Sequence, residues 1–238
     1  GNTVFTQGPP SGGGVVLLTA LNVLEPFNMN GFKENSSATY HLLAEALRKG
    51  HHARSRFVGD PGFFDVPIND LINKKHAQEY ARQIEFNKAT PASEVKPLEV
   101  IQESKDTTHY SIIDNEGNAV SNTYTLGYSF GSGVTIPGTG ILMNNQMNNF
   151  AFQYGDQAEV SRSSSPGNRF IPGKRPMSTM NPVIVKNKDN NISIITGSPG
   201  GSFIPAAALR VITGIIDFNL DVGQETMLPR IHKDCLLY

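Results

Sequence analysis

Between Lys88 and Asp106 the chain reads KATPASEVKPLEVIQESKD, a stretch with two prolines and no hydrophobic period. The patterns on its two sides call for different structures. Upstream, Leu17, Leu21 and Leu24 recur at helical spacing within residues 13–27, which stop at Pro26. Residues 36–56 repeat that theme, with Ser36 or Ser37 as cap and Leu42, Leu43, Ala46 and Leu47 on one face. A third helix is expected over 67–87, from Pro67 through Leu71, Ile72, Ala81 and Ile84. Downstream, strands are expected at 108–114, 119–126, 140–144, 182–187 and 192–197, followed by a helix over 203–218. Helices, then strands, then a helix argue for α+β layers rather than alternating βαβ units.

Composition narrows the function classes. The chain has 238 residues and a formal net charge of -1, with both signs mixed and no basic stripe for a nucleic acid. No run approaches the roughly 18 apolar residues that span a bilayer. GNTVFTQGPP lacks the basic start and apolar run of a signal peptide, so the expectation is a cytosolic protein or a chain that begins partway through a longer one. Cys235 is the single cysteine, and the six histidines show no ligand spacing with a carboxylate. No metal or other cofactor is expected.

Four stretches carry chemistry: TTHYS at 107–111 with TYT at 123–125, GILMNNQMNNF at 140–150, GKRPMSTMNP at 173–182, and TGSPGGS at 196–202. Together, in this order, they resemble γ-glutamyltransferases (glutathione hydrolases), members of the N-terminal-nucleophile hydrolase superfamily. GPPSGGG and GDPGF upstream resemble the end of that family's large subunit. The resemblance implies an αββα sandwich, incomplete here because an N-terminal half is missing. Residues 1–106 would be the end of the large subunit and 107–238 the small, catalytic one.

By resemblance Thr107 is the nucleophile, Thr125 orients it, and Gly200 and Gly201 form the oxyanion hole. Gln146 and the position of Asn149 hold the substrate's α-amino end, and Ser178 and Thr179 its α-carboxylate. The chemistry is coherent. A threonine hydroxyl is a poor nucleophile until a base takes its proton. If the bond before Thr107 is cut, its own α-amine, with a pKa of about 7.7–8.0, becomes that base. The implied substrate is a γ-glutamyl amide such as glutathione, and the implied partner is the missing part of the same precursor. Family members are commonly secreted, periplasmic or membrane-anchored.

Four departures stand out. The family's acid after the Gln-Met pair is Asn149 here, with Asp156 as another acid for that place, and an asparagine of the glutamyl site is Gly127. An upstream arginine that pairs with the substrate carboxylate has no counterpart before residue 1. Arg230 and His232 fit the family's run near the C-terminus, but the chain stops at Tyr238. Alternatives are a relative acting on γ-linked polyglutamate or glutaryl amides, and a non-catalytic homologue or fragment. Met143, Met147 and Met180 are expected to be packing.

Overall fold

The computed structural model describes residues 1–90, 106–151 and 165–232. Most of the interrupting stretch, Asp156 and Cys235 lie outside them. In chain order come β1 (Thr3–Thr6), α1 (Gly13–Leu24), α2 (Ser37–Phe57), α3 (Ile68–Leu71), α4 (Lys74–Ala81), β2 (Thr107–Ile113) and β3 (Ala119–Thr125). β4 (Val183–Lys186), β5 (Ile192–Thr196), α5 (Ile204–Ile216) and α6 (Val222–Met227) follow. The chain is a mixture of α and β structure.

Helix α1 carries the core. Leu17, Ala20 and Val23 are fully buried between α2, which supplies Leu42, Leu43 and Leu47, and α5, which supplies Leu209 and Ile212. Each leucine, isoleucine or valine among these stabilises by roughly 1.5–3 kcal/mol when buried. Ser36 caps α2 by accepting the Thr39 N–H at 3.2 Å. The floor is an antiparallel sheet in the order β1-β4-β5, with Val183 and Val185 turned inward at strand period.

Two expectations are corrected. The helix over 67–87 is two pieces, because the Asn73 side chain accepts the Lys75 N–H at 2.9 Å and caps a new start. The strand at 140–144 is a loop with a single bridge, Thr135 to Leu142. Its backbone pairs only locally, Ile136 N–H donating to the Ile141 carbonyl at 2.9 Å and Met143 N–H to the Val134 carbonyl at 2.8 Å, among left-handed glycines at 131, 133, 138 and 140.

β2 and β3 form a separate hairpin in which Thr107 pairs with Thr125 and Ile112 with Val120. Its faces are inverted relative to an ordinary half-buried hairpin. The row holding Thr107, His109, Thr123 and Thr125 faces the protein, while Tyr110, Ile112, Val120 and Tyr124 are about half exposed. Ser121 ties the hairpin to the sheet, donating to the Thr196 carbonyl at 3.1 Å and accepting the Val183 N–H at 3.0 Å. No helix among the described residues is long and apolar enough to cross a membrane.

Candidate active site

Thr107 opens β2 and Thr125 closes β3, so antiparallel pairing alone brings them face to face across a cleft. The same cleft is lined by Gln146, Asn149, Ser178, Thr179 and Gly201. Gly200 does not line it, but stands one residue away as the cap of the short helical turn Gly201–Phe203. Residues separated by almost a hundred positions in sequence thus share one small space.

The chain is continuous through Asp106–Thr107, and the Thr125 hydroxyl is engaged there. It donates to the Asp106 carbonyl oxygen at 3.1 Å and accepts the Gly127 N–H at 3.0 Å. The carboxylate of Asp106 in turn accepts the Ser129 N–H at 3.2 Å. The carbonyl preceding Thr107 is therefore polarised by a hydroxyl and held by its own side chain.

Gln146 and Asn149 begin and end one short helical turn, and the Asn149 amide donates to Gln146 Oε1 at 2.6 Å. Gly127, with φ at 95°, packs so closely on Asn145 that a Cβ would lie 1.8 Å from Asn145 Oδ1. The Ser178–Thr179 segment is stitched to the start of α1. Gly12 N–H donates to the Ser178 carbonyl at 2.8 Å, and Ser11 Oγ donates to the Met180 carbonyl at 2.5 Å. A side chain at Gly13 would meet the Thr179 carbonyl at 2.4 Å, so this crossing requires glycine.

Several contributors carry no signal in the sequence. Asn168, fully buried, braces two segments that line the cleft: its amide donates to the Asn149 carbonyl at 2.7 Å and its Oδ1 accepts the Met177 N–H at 2.9 Å. Arg54 reads as a solvated charge near the end of α2, yet it is buried, lines the cleft, and lays its stem over Gly12. Met177, Met180 and Ile204 complete the lining. Met143 and Met147, expected as packing, are about half exposed. His109 faces the protein beside this group, and burial lowers its pKa, which favours the neutral imidazole.

An ion pair fixes the approach to Ser178. Asp60, 2% exposed, accepts Arg175 Nη2 at 2.7 Å, Arg175 N–H at 2.8 Å and Gly62 N–H at 3.1 Å. The Arg175 hydrogen bonds hold its carboxyl well below the usual carboxylate range. A depressed pKa contributes stability that is present above about pH 4, the unfolded value, and is lost as pH falls through the folded one. Asp60→Asn is expected to lower Tm at pH 7 by on the order of 5 °C. Melting curves at falling pH check this, because the gap between variant and parent must close in strong acid.

The family profile described as Gamma-glutamyltranspeptidase matches residues 1–237. The glutathione hydrolase proenzyme of Escherichia coli (strain K12) is 41% identical over 237 residues, covering 99% of this chain and 41% of that protein. The acylase ACY 1 proenzyme of Pseudomonas sp. (strain SE83) is 35% identical over 231 residues, covering 97% of this chain and 39% of that protein. The crystal structure of cephalosporin acylase from Bacillus halodurans superposes with a TM-score of 0.69 at 26% identity, covering 93% of this chain and 37% of that one. The chain spans about two fifths of the length of the curated relatives it matches. On this match over its whole length, the chain belongs to the gamma-glutamyltranspeptidase family.

Proposed function

We propose that this chain is the catalytic part of an amide hydrolase and transferase that works through a threonyl ester, with γ-glutamyl amides such as glutathione as substrates. What supports this is the convergence of Thr107, Thr125, Gln146, Asn149, Ser178, Thr179 and Gly201 on one cleft. The chain is first cut at Asp106–Thr107. The freed α-amine then takes the Thr107 Oγ proton as Oγ attacks the substrate's γ-carbonyl. Amide N–H groups of the Gly200–Gly201 turn meet the developing oxyanion. The C–N bond breaks, the leaving amine takes the proton, and an ester on Thr107 remains. Water or an acceptor amine attacks that ester, restoring the hydroxyl.

Residues 1–106 act as the end of a large subunit and 107–238 as the small one, within a longer precursor. The inverted hairpin supports an αββα arrangement. Its outward row of Tyr110, Ile112, Val120 and Tyr124 is an apolar sheet face suited to a further layer. Ser178 and Thr179 hydroxyls suit the α-carboxylate.

A second reading, hydrolysis of glutaryl amides or γ-linked polyglutamate, is favoured by Asn149. An acid there would pair with a substrate α-ammonium, contributing roughly 1.5–3 kcal/mol. An amide has no such charge: its NH2 group, which donates to Gln146, cannot meet an ammonium, and its Oδ1 offers only a neutral acceptor. Asn149→Asp is expected to tighten binding of a γ-glutamyl anilide by about one to two powers of ten. The glutaryl anilide, which lacks the ammonium, gains nothing. KM and kcat for both anilides on the complete processed protein check this. A strong parental preference for γ-glutamyl that the aspartate leaves unchanged would sink the relaxed-specificity reading alone; absence of turnover on either anilide would sink both.

A further inference from the structure

His109 stands two residues after Thr107 on β2, so both side chains project from the same face of the hairpin. Its imidazole is held at both nitrogens. Nδ1 lies 2.8 Å from Thr123 Oγ1, on the paired strand, and Nε2 lies 3.1 Å from Ser111 Oγ. A hydroxyl both donates and accepts, so a neutral ring is satisfied in either tautomer.

The ring lies against Gly197. A Cβ there would sit 2.3 Å from both Cε1 and Nδ1 of the imidazole, far inside van der Waals contact. Gly197 does not have the left-handed backbone of Gly200 or Gly201, so its identity follows from the ring and not from its φ. It is also the first residue of the Gly-Ser-Pro-Gly-Gly run that follows β5. One residue earlier, the Thr196 carbonyl is gripped by Ser121 of the same hairpin. The nucleophile's own hairpin therefore holds the base of the glycine turn at two consecutive residues.

We propose that His109 is a positioning residue: its ring seats Gly197 and so sets where the Gly200–Gly201 turn stands relative to Thr107. This rests on the reading of that turn as the oxyanion site. The imidazole takes no proton from the substrate. It acts as a spacer of fixed thickness, kept in plane by Thr123 and Ser111, and it registers the strand that bears the nucleophile against the loop that bears the donors. A misplacement of about 1 Å in such a constellation can cost up to about a hundredfold in rate.

The test is a double-mutant cycle on the complete processed protein, with γ-glutamyl p-nitroanilide as probe and kcat taken per processed molecule. His109→Ala and Gly197→Ala are each expected to lower kcat by about tenfold or more with KM little changed. In the double variant the alanine methyl enters space the ring has vacated. Its kcat should then match or exceed that of either single variant, instead of showing the product of the two losses. His109→Asn offers a polar atom towards Thr123 without the ring edge over Gly197, and it should fall with the alanine variant. Full kcat in His109→Asn, or losses that multiply in the double variant, would overturn the proposal. Those outcomes leave the threonyl-ester reading intact, whereas a parent protein that never turns over the anilide sinks that reading first.

Discussion

Thr107→Ala in the complete precursor will stay in one piece, while the parent separates into two fragments at Asp106–Thr107. Cutting that bond requires Thr107 Oγ to attack the Asp106 carbonyl carbon, after which the amide becomes an ester that water opens. Two features of the uncut chain favour this step. The Thr125 hydroxyl already donates to that carbonyl oxygen at 3.1 Å, where negative charge would develop. The Asp106 carboxylate, tied to Ser129 N–H, holds the residue whose bond must break. Alanine removes the attacking atom and leaves both features in place. Thr107→Ser keeps a hydroxyl and should still cut, more slowly. Denaturing gels and intact mass of the purified proteins report the outcome. Since the α-amine exists only after cleavage, the alanine variant must also lack all turnover. Cleavage of Thr107→Ala at the same bond would eliminate self-processing.

The hairpin that carries Thr107 was legible because strand-favouring residues flank a strong Asn-Glu-Gly-Asn turn, and β2 and β3 fall within a residue of the expected spans. The segment at 140–144 misled for the opposite reason. Ile141, Leu142 and Met143 have strand composition, but the backbone is set by glycines whose left-handed φ a sequence does not display. β1 is only four residues long and pairs with β4 about 180 positions away, so no local pattern announces it. The site divides in the same way. Residues that repeat a family motif could be named in advance. Asn168, Arg54 and His109 could not be given their places, because each owes its surroundings to a chance of tertiary neighbourhood: Asn149 with Met177, Gly12, and Gly197. The inverted hairpin faces were equally hidden, since alternation fixes which residues share a face and says nothing about which face turns inward.

Gly201→Val in the complete protein should mature poorly, and its matured fraction should turn over about 10²–10³ times more slowly. Gly200 and Gly201 have φ of 124° and 58°, the region that side chains disfavour and that β-branched residues avoid most. No described residue accepts a hydrogen bond from either amide, although Gly201 is buried beside the Thr107 cleft. Donors left over in this way suit an oxyanion that exists only during reaction. Valine would force the turn towards negative φ, and the peptide planes that carry these N–H groups would rotate with it. The loss should therefore fall on kcat, with KM nearly unchanged, because the residues proposed to hold the substrate's two ends, Ser178, Thr179, Gln146 and Asn149, stand outside the turn. A general loosening of the cleft would instead raise KM and lower kcat together. Single-turnover acylation of matured enzyme by γ-glutamyl p-nitroanilide separates the two cases. A Gly201→Val protein that folds, matures and acylates at the parental rate would mean that the glycines serve the turn alone, and the oxyanion donors would have to be sought elsewhere around Thr107.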